Sequence, residues 1–322
     1  MALDVTLDQV RAAHARIEAS IHRTPLLAVP SDLHGREDVA LYLKLECKQV
    51  SGSFKARGAR NFLARAIESA AEVSGVVTYS SGNHGCAVAE AAGLFSLPAL
   101  VTVPDHVDAS KEAGIVAAGA EAVRAGATSE SRKARALEVA AERGWLVIPP
   151  FDHEWIIEGQ ATALLEALDE LPEPPVGAWV PVGGGGLAAG SAATLSARVP
   201  DATLHTVEPT GAAAYASARD AGKPVRLESA ESVADGLLPL SVGDRNFEVL
   251  GRAKVQTHVV EDEAITANFR LLRLMLEVPC ETSGAVSSAP IIVGDEEIEP
   301  GVHVAMVSGG NISDERLAKL LG

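Results

Sequence analysis

The chain has 322 residues, room for two domains or one large one, and its 47% apolar and 22% charged residues are the balance of a soluble globular protein. A net charge of −16 argues against a nucleic-acid or anionic-membrane partner. Three cysteines (Cys47, Cys86 and Cys280) with no CxxC spacing predict reduced thiols and a cytoplasmic setting.

Residues 7–21 set Leu7, Val10, Ile17 and Ile21 on one face of a helix and do not read as a signal peptide. No apolar run approaches about 18 residues, so no membrane span is expected. Strand-like runs recur at 40–45, 76–80, 99–103, 145–149, 178–182, 203–208, 256–260 and 302–308. Helix-like runs fill 55–69, 83–93, 108–118, 129–143, 156–170, 187–198 and 261–277. Such alternation predicts an α/β fold with mostly parallel strands and helices on both faces. The proline-rich stretch Leu171-Pro172-Glu173-Pro174-Pro175 reads as a connector within this pattern rather than a linker between modules.

Three strand-to-helix turns carry chemistry. Ser53-Phe54-Lys55 opens the helix at 55–69. A helix N-terminus disfavours a second positive charge, and burial lowers a lysine pKa further, leaving more nucleophilic amine. On its own, Lys55 would read as a solvated lysine at a helix start. Ser80-Ser81-Gly82-Asn83-His84-Gly85 follows an apolar strand and precedes a small-residue helix, an arrangement that aims backbone N–H groups at an anion. Gly183-Gly184-Gly185-Gly186 lies between the strand at 178–182 and another helix, where glycine lets the backbone approach a phosphate.

Together with Ser308-Gly309-Gly310-Asn311, these motifs resemble the fold-type II pyridoxal-phosphate (PLP) enzymes, in the branch of serine/threonine dehydratases (ammonia-lyases) and serine racemases. Weaker matches are His22-Arg23-Thr24-Pro25-Leu26, Ala234-Asp235-Gly236 and Glu281-Thr282-Ser283-Gly284-Ala285, and all fall in the family's order over nearly the whole chain. The resemblance implies a tryptophan synthase β-like fold: two open, twisted, mostly parallel sheets flanked by helices. It implies a large PLP-binding domain from residues 1–67 and 152–322, with a small mobile domain at 68–151 inserted in it. The cofactor would lie in the cleft between them.

Residue by residue, the resemblance makes Lys55 the Schiff-base lysine and the base for the substrate's α-proton. Phe54 packs near the cofactor ring or is simply core. Gly183, Gly184, Gly185 and Gly186, with the N–H of Leu187, form the phosphate cup. Asn83 bonds the ring hydroxyl, Glu281 belongs to the cofactor site, and Ser308 faces the pyridine nitrogen. A hydroxyl there leaves that nitrogen neutral, unlike a carboxylate. Ser80, Ser81, Gly82, Asn83 and His84 receive the substrate carboxylate, and Arg132 aligns with an arginine that closes over the substrate; a solvated helix arginine reads equally well. Ser81 also stands where family racemases carry a second acid/base, although some dehydratases have serine there too.

The implied reaction is β-elimination on L-threonine or L-serine, giving 2-oxobutanoate or pyruvate plus ammonia. Serine racemisation and 3-hydroxyaspartate dehydration are alternatives on the same site, and a homodimer is implied. Several positions depart from the family. A divalent cation, Mg²⁺ or Ca²⁺, is only weakly indicated at Glu208, because its usual aspartate partner six residues on is Ala214. Val50 replaces a nucleotide-binding lysine, and Thr282 a usual proline. The loop Leu237-Leu238-Pro239-Leu240 is expected to shape the side-chain pocket. No C-terminal regulatory domain, and so no feedback by isoleucine, is expected after Asn311.

One rival remains. Gly183 to Ala188 also fits the G-x-G-x-x-A dinucleotide fingerprint, with Glu208 ending the next strand, which would suggest an NAD-dependent oxidoreductase. That reading leaves Lys55 and the Asn83-His84 motif without a task.

Overall fold

The computed structural model describes residues 5–69, 72–80, 82–107 and 109–322. Strands β1 (Leu26–Ala28), β2 (Val39–Lys44), β7 (Gly177–Pro181), β8 (Thr203–Pro209), β9 (Val255–Val260) and β10 (Gly301–Met306) form a six-stranded sheet in the order β1-β2-β10-β7-β8-β9. Only β1 runs antiparallel to its neighbour. Strands β3 (Val76–Thr78), β4 (Ala99–Val103), β5 (Glu121–Arg124) and β6 (Leu146–Val147) form a four-stranded parallel sheet in the order β5-β4-β3-β6. All four lie within the inserted segment expected at 68–151.

The larger sheet is covered on both faces, and its strand residues alternate between two cores with the period of the pleat. Ala178, Val180, Val304 and Met306 point to one core, shared with helices α1 (Leu7–Ile17), α6 (Glu154–Glu170) and α7 (Gly186–Arg198). Trp179, Val207, Ala305 and Val307 point to the other, which packs on α10 (Asp262–Leu274) and the short turns α11 (Thr282–Ala285) and α12 (Ala289–Ile292). The smaller sheet packs on α3 (Asn83–Leu94), α4 (Ala109–Ala117) and α5 (Ser129–Arg143). The remaining helices are α8 (Ala214–Ala221), α9 (Asp244–Leu250) and α13 (Asp314–Leu321).

Helix α2 (Lys55–Glu68) joins the two halves, sending Ala59, Phe62 and Leu63 into the core of the smaller sheet. Its first turn is pinned from the other side. The fully buried Arg57 guanidinium meets Glu46 at 2.7 and 2.8 Å and Glu166 at 2.8 and 2.7 Å, while buried Lys44 reaches Glu166 at 2.9 Å. Paired, hydrogen-bonded charges of this kind tolerate burial only as a complete set. The start of α2 is therefore held two residues from Lys55.

Candidate active site

The strand-to-helix turns, at the ends of parallel strands in both sheets, line one cleft. It has a volume of about 1030 Å³ and runs between the two sheets. Phe54, Lys55, Ser80, Gly82, Asn83, His84, Arg132, the four glycines at 183–186, Leu187, Glu281 and Ser308 all line it. Ser81 lies outside the described residues. Glu208 does not line the cleft.

Lys55 is the first residue of α2. Its Nζ donates to the Pro150 carbonyl oxygen at 2.7 Å, and burial lowers its pKa to about 8. The amine also lies 5.0 Å from the centroid of the Phe54 ring, whose other contacts are with the large-sheet core. The turn that delivers the lysine is zipped to the end of β10. Phe54 N donates to Ser308 O at 3.1 Å, Gly310 N donates to Gly52 O at 2.9 Å, and Ser53 bridges Gly309. Ser308 is buried, with its hydroxyl 3.4 Å from the Ser283 carbonyl.

The glycine turn is shaped by what surrounds it. A Cβ on Gly184 would enter the Phe151 ring, and Gly185 has φ +92°, a region that glycine occupies without strain. Asn246 Nδ2 and Gly243 N donate to the Gly184 carbonyl at 2.6 and 3.0 Å, so the loop's carbonyl is held away from the helix start. The N–H groups at the head of α7 have no intrahelical acceptor, which suits an anion.

Asn83 begins α3 and donates from Nδ2 to Glu281 Oε1 at 2.6 Å. His84 is 1% exposed and its Nε2 donates to the Ile148 carbonyl at 3.3 Å. Burial, then the charge of Lys55, lowers its pKa to about 3, so the ring is neutral at ordinary pH. Arg132 is half-buried, donating to the Ala127 carbonyl at 3.3 Å and the Ser129 hydroxyl at 3.0 Å, while its Nε has no partner among the described residues. Burial lowers its pKa.

Glu208 bears on two expectations, the weak cation site and the dinucleotide fingerprint. It is fully buried at the end of β8, and its two carboxylate oxygens accept from the N–H groups of Tyr215 and Ala216 at 2.8 Å each. Burial raises its pKa to about 7. The carboxylate is spent on the start of α8, not turned to a ribose or a cation. Among the described residues no three His, Cys, Asp or Glu side chains come together as a metal site. Glu208 would thus bring a hard cation one carboxylate already engaged by two N–H groups.

Sequence reasoning missed two cleft residues and one behind the glycine turn. Pro150, Phe151 and Asn246 act through a carbonyl, a ring edge and an amide brought in from distant segments, and none carries a local signal. Two ion pairs also stand at the cleft wall, Arg226 with Glu130 at 2.5 Å and Arg316 with Asp235 at 2.6 Å. Nothing in the sequence sets the two arginines apart, because salt-bridged surface arginines are common.

The cleft fits PLP on three observations of its own geometry. A partly buried lysine amine faces a neutral carbonyl rather than a carboxylate, a glycine turn at a helix start leaves no room for Cβ at Gly184, and a buried serine hydroxyl follows β10. Comparison with known proteins agrees. Residues 17–309 match the family described as pyridoxal-phosphate dependent enzymes. The chain is 35% identical to a serine racemase of Oryza sativa subsp. indica over 313 residues, 95% of this chain and 91% of that one. It is 30% identical to an L-threo-3-hydroxyaspartate ammonia-lyase of Saccharomyces cerevisiae, over 98% and 96% of the two chains. The structure of a threonine deaminase from T.th. superposes with a TM-score of 0.89 at 36% identity, covering 96% of this chain and 99% of that one. Nothing in these relatives supports the dinucleotide reading of the glycine turn, and with Glu208 turned inward that reading falls. The fold, the cleft and the match over most of its length place this chain in the pyridoxal-phosphate dependent enzyme family.

Proposed function

We propose that the chain is a β-eliminating ammonia-lyase for small β-hydroxy amino acids, with L-threonine and L-serine foremost. The observation that carries this is the Lys55 amine: partly buried, with a pKa lowered to about 8, and in contact with a carbonyl instead of a carboxylate. PLP, when bound, supplies the electron sink that acidifies the α-C–H of an attached amino acid. Gly183 to Gly186 and the Leu187 N–H would hold its phosphate, Asn83 supported by Glu281 its ring hydroxyl, and Ser308 its ring nitrogen. Lys55 would hold its aldehyde carbon and, once released, take the substrate α-proton on Nζ. The substrate carboxylate would rest on the segment from Ser80 to His84, with Arg132 and the Leu237-Leu238-Pro239-Leu240 loop bounding the side chain. The β-hydroxyl leaves as water, and water is taken up again when the released enamine hydrolyses to 2-oxo acid and ammonia.

In this reading residues 68–151 move as a unit over the cleft, and the protein is a cytoplasmic homodimer; its three cysteines are free. Keto-acid release from L-threonine and L-serine by PLP-saturated protein tests the assignment. Turnover of either supports it; none, with the cofactor's visible band intact, overturns it.

Racemisation is the second reading, favoured by the serine racemase at 35% identity. Ser81 would then be the acid/base on the face opposite Lys55. A chiral assay tests it: Ser81→Ala should remove racemisation and spare elimination, and equal loss of both would refute the two-face arrangement.

A further inference from the structure

Asn311 is exposed at the rim of the cleft, yet its side-chain amide ties together two parts of the site. Nδ2 donates to the Ser51 carbonyl at 2.7 Å and to Asn83 Oδ1 at 2.8 Å, and Asn83 Nδ2 in turn donates to Glu281 Oε1 at 2.6 Å. This chain begins and ends on acceptors, a main-chain carbonyl and a carboxylate. Its direction follows from those ends. Asn311 must turn nitrogen toward Ser51 and Asn83, so Asn83 must turn its oxygen to Asn311 and its nitrogen to Glu281.

Two glycines make room for the chain. Gly52 has φ +72°, and a Cβ there would run into the Asn311 amide oxygen and lie 2.8 Å from its Cγ. A Cβ on Gly309 would run into Glu281 Oε1 and lie 2.9 Å from Asn83 Nδ2. Ser51, whose carbonyl Asn311 holds, has φ 58°, a left-handed conformation unusual for a residue with a side chain. It stands four residues before Lys55.

We propose that Asn311 is a positioning residue that sets the polarity of the Asn83 amide and holds the left-handed turn leading to Lys55. The proposal rests on the reading of Lys55 as the cofactor lysine and Asn83 as the partner of the ring hydroxyl. One N–H of Asn83 goes to Glu281; the other is the donor left for a ring oxygen. A reversed amide would offer that oxygen a second acceptor in place of a donor.

Asn311→Asp keeps the shape and exchanges the donor for an acceptor, whereas Asn311→Ala removes the group. A packing role ranks the alanine variant as the worse of the two; a polarity role ranks the aspartate variant as the worse. The measurement is a pH titration of the visible absorbance band of the holoenzyme, together with the rate of PLP loss on dilution, in wild type, both variants and Lys55→Ala. Asn311→Asp should move the titration midpoint by about one unit and hasten PLP loss roughly tenfold, the scale of one misdirected hydrogen bond, with Asn311→Ala in between. Wild-type behaviour in either variant, or a larger effect in Asn311→Ala, overturns the proposal. If Asn311→Asp does not fold, Asn311→Ala decides alone by the same comparison with wild type. A visible band that persists unchanged in Lys55→Ala would instead sink the cofactor-lysine reading beneath it.

Discussion

The Lys55 amine donates to the main-chain carbonyl of Pro150 at 2.7 Å, linking the first residue of α2 to the segment that follows β6. A carbonyl steadies the amine without the charge that would hold its proton, and burial then lowers the pKa to about 8. Capture of PLP by the apoprotein needs the neutral amine. Its rate should therefore rise with pH through about 8 and level off above, as stopped-flow absorbance would record. Lys55→Ala should lose keto-acid production by at least about 10²–10⁴-fold, the usual contribution of a positioned acid/base. A capture rate that does not change with pH on either side of about 8 would contradict the assigned pKa.

Gly183 and Gly184 are adjacent but not equivalent. A Cβ on Gly183 stops 3.2 Å from Leu237 Cα and Pro239 Cδ, whereas one on Gly184 enters the Phe151 ring. Gly184→Ala should weaken PLP retention at least about tenfold more than Gly183→Ala, since a displaced loop forfeits more than one hydrogen bond to the phosphate. Equilibrium dialysis of the two variants measures the difference, and equal affinities would show that Phe151 yields.

Arg57 anchors α2 between Glu46 and Glu166, all three almost wholly buried. Removing the cation leaves buried Glu46 without its ionic partner and Glu166 with Lys44 alone. Arg57→Ala should destabilise the protein by about 3–5 kcal/mol, the cost of breaking a buried pair from one side. Denaturant melts of the apoprotein would give the number; a loss within the range of a surface ion pair would show that water enters the site.

Acid should unfold this protein through its histidines. His205 stacks on Trp179 with ring centroids 3.9 Å apart, and its Nδ1 lies 3.0 Å from His258 Nε2, which is followed by Glu296 at 2.5 Å from His258 Nδ1. Burial, then the neighbouring His258, His303 and Lys254, lower the His205 pKa from 6.5 to about 3, and His84 is lowered similarly. Below pH 6.5 the unfolded chain binds protons that the folded chain refuses, so stability falls as pH drops from 6.5 toward 3. Thermal midpoints should decline steadily across that window and by less in His205→Gln. A flat profile over the first pH unit or so below 6.5 would contradict it.

Much of this protein is legible locally. Strands such as β4 and β7 are apolar runs bounded by turns, and α5 spans 129–143, the range its periodicity predicts. Strand β5 escapes a reading of the sequence because its four residues are all at least partly exposed on a sheet edge, and β1 because three residues leave no period to read. The lysine turn, the Asn83 turn and the glycine turn are visible because each is a short contiguous segment whose backbone has a task. Glu208 misleads, because a carboxylate at a strand end looks the same in sequence whether it serves a ligand or, as here, the N–H groups of α8.

The sequence by itself determined the alternation of strands and helices and which residues begin the helices that face the cleft, since periodicity and glycine placement act over a few residues. Only the tertiary structure decided what those residues meet: Lys55 at Pro150, Gly184 against Phe151, and Asn83 between Asn311 and Glu281. These pairs are from 33 to 228 positions apart in the chain. Hydrogen-bond direction and steric room depend on distance and angle in space, and no local pattern encodes either.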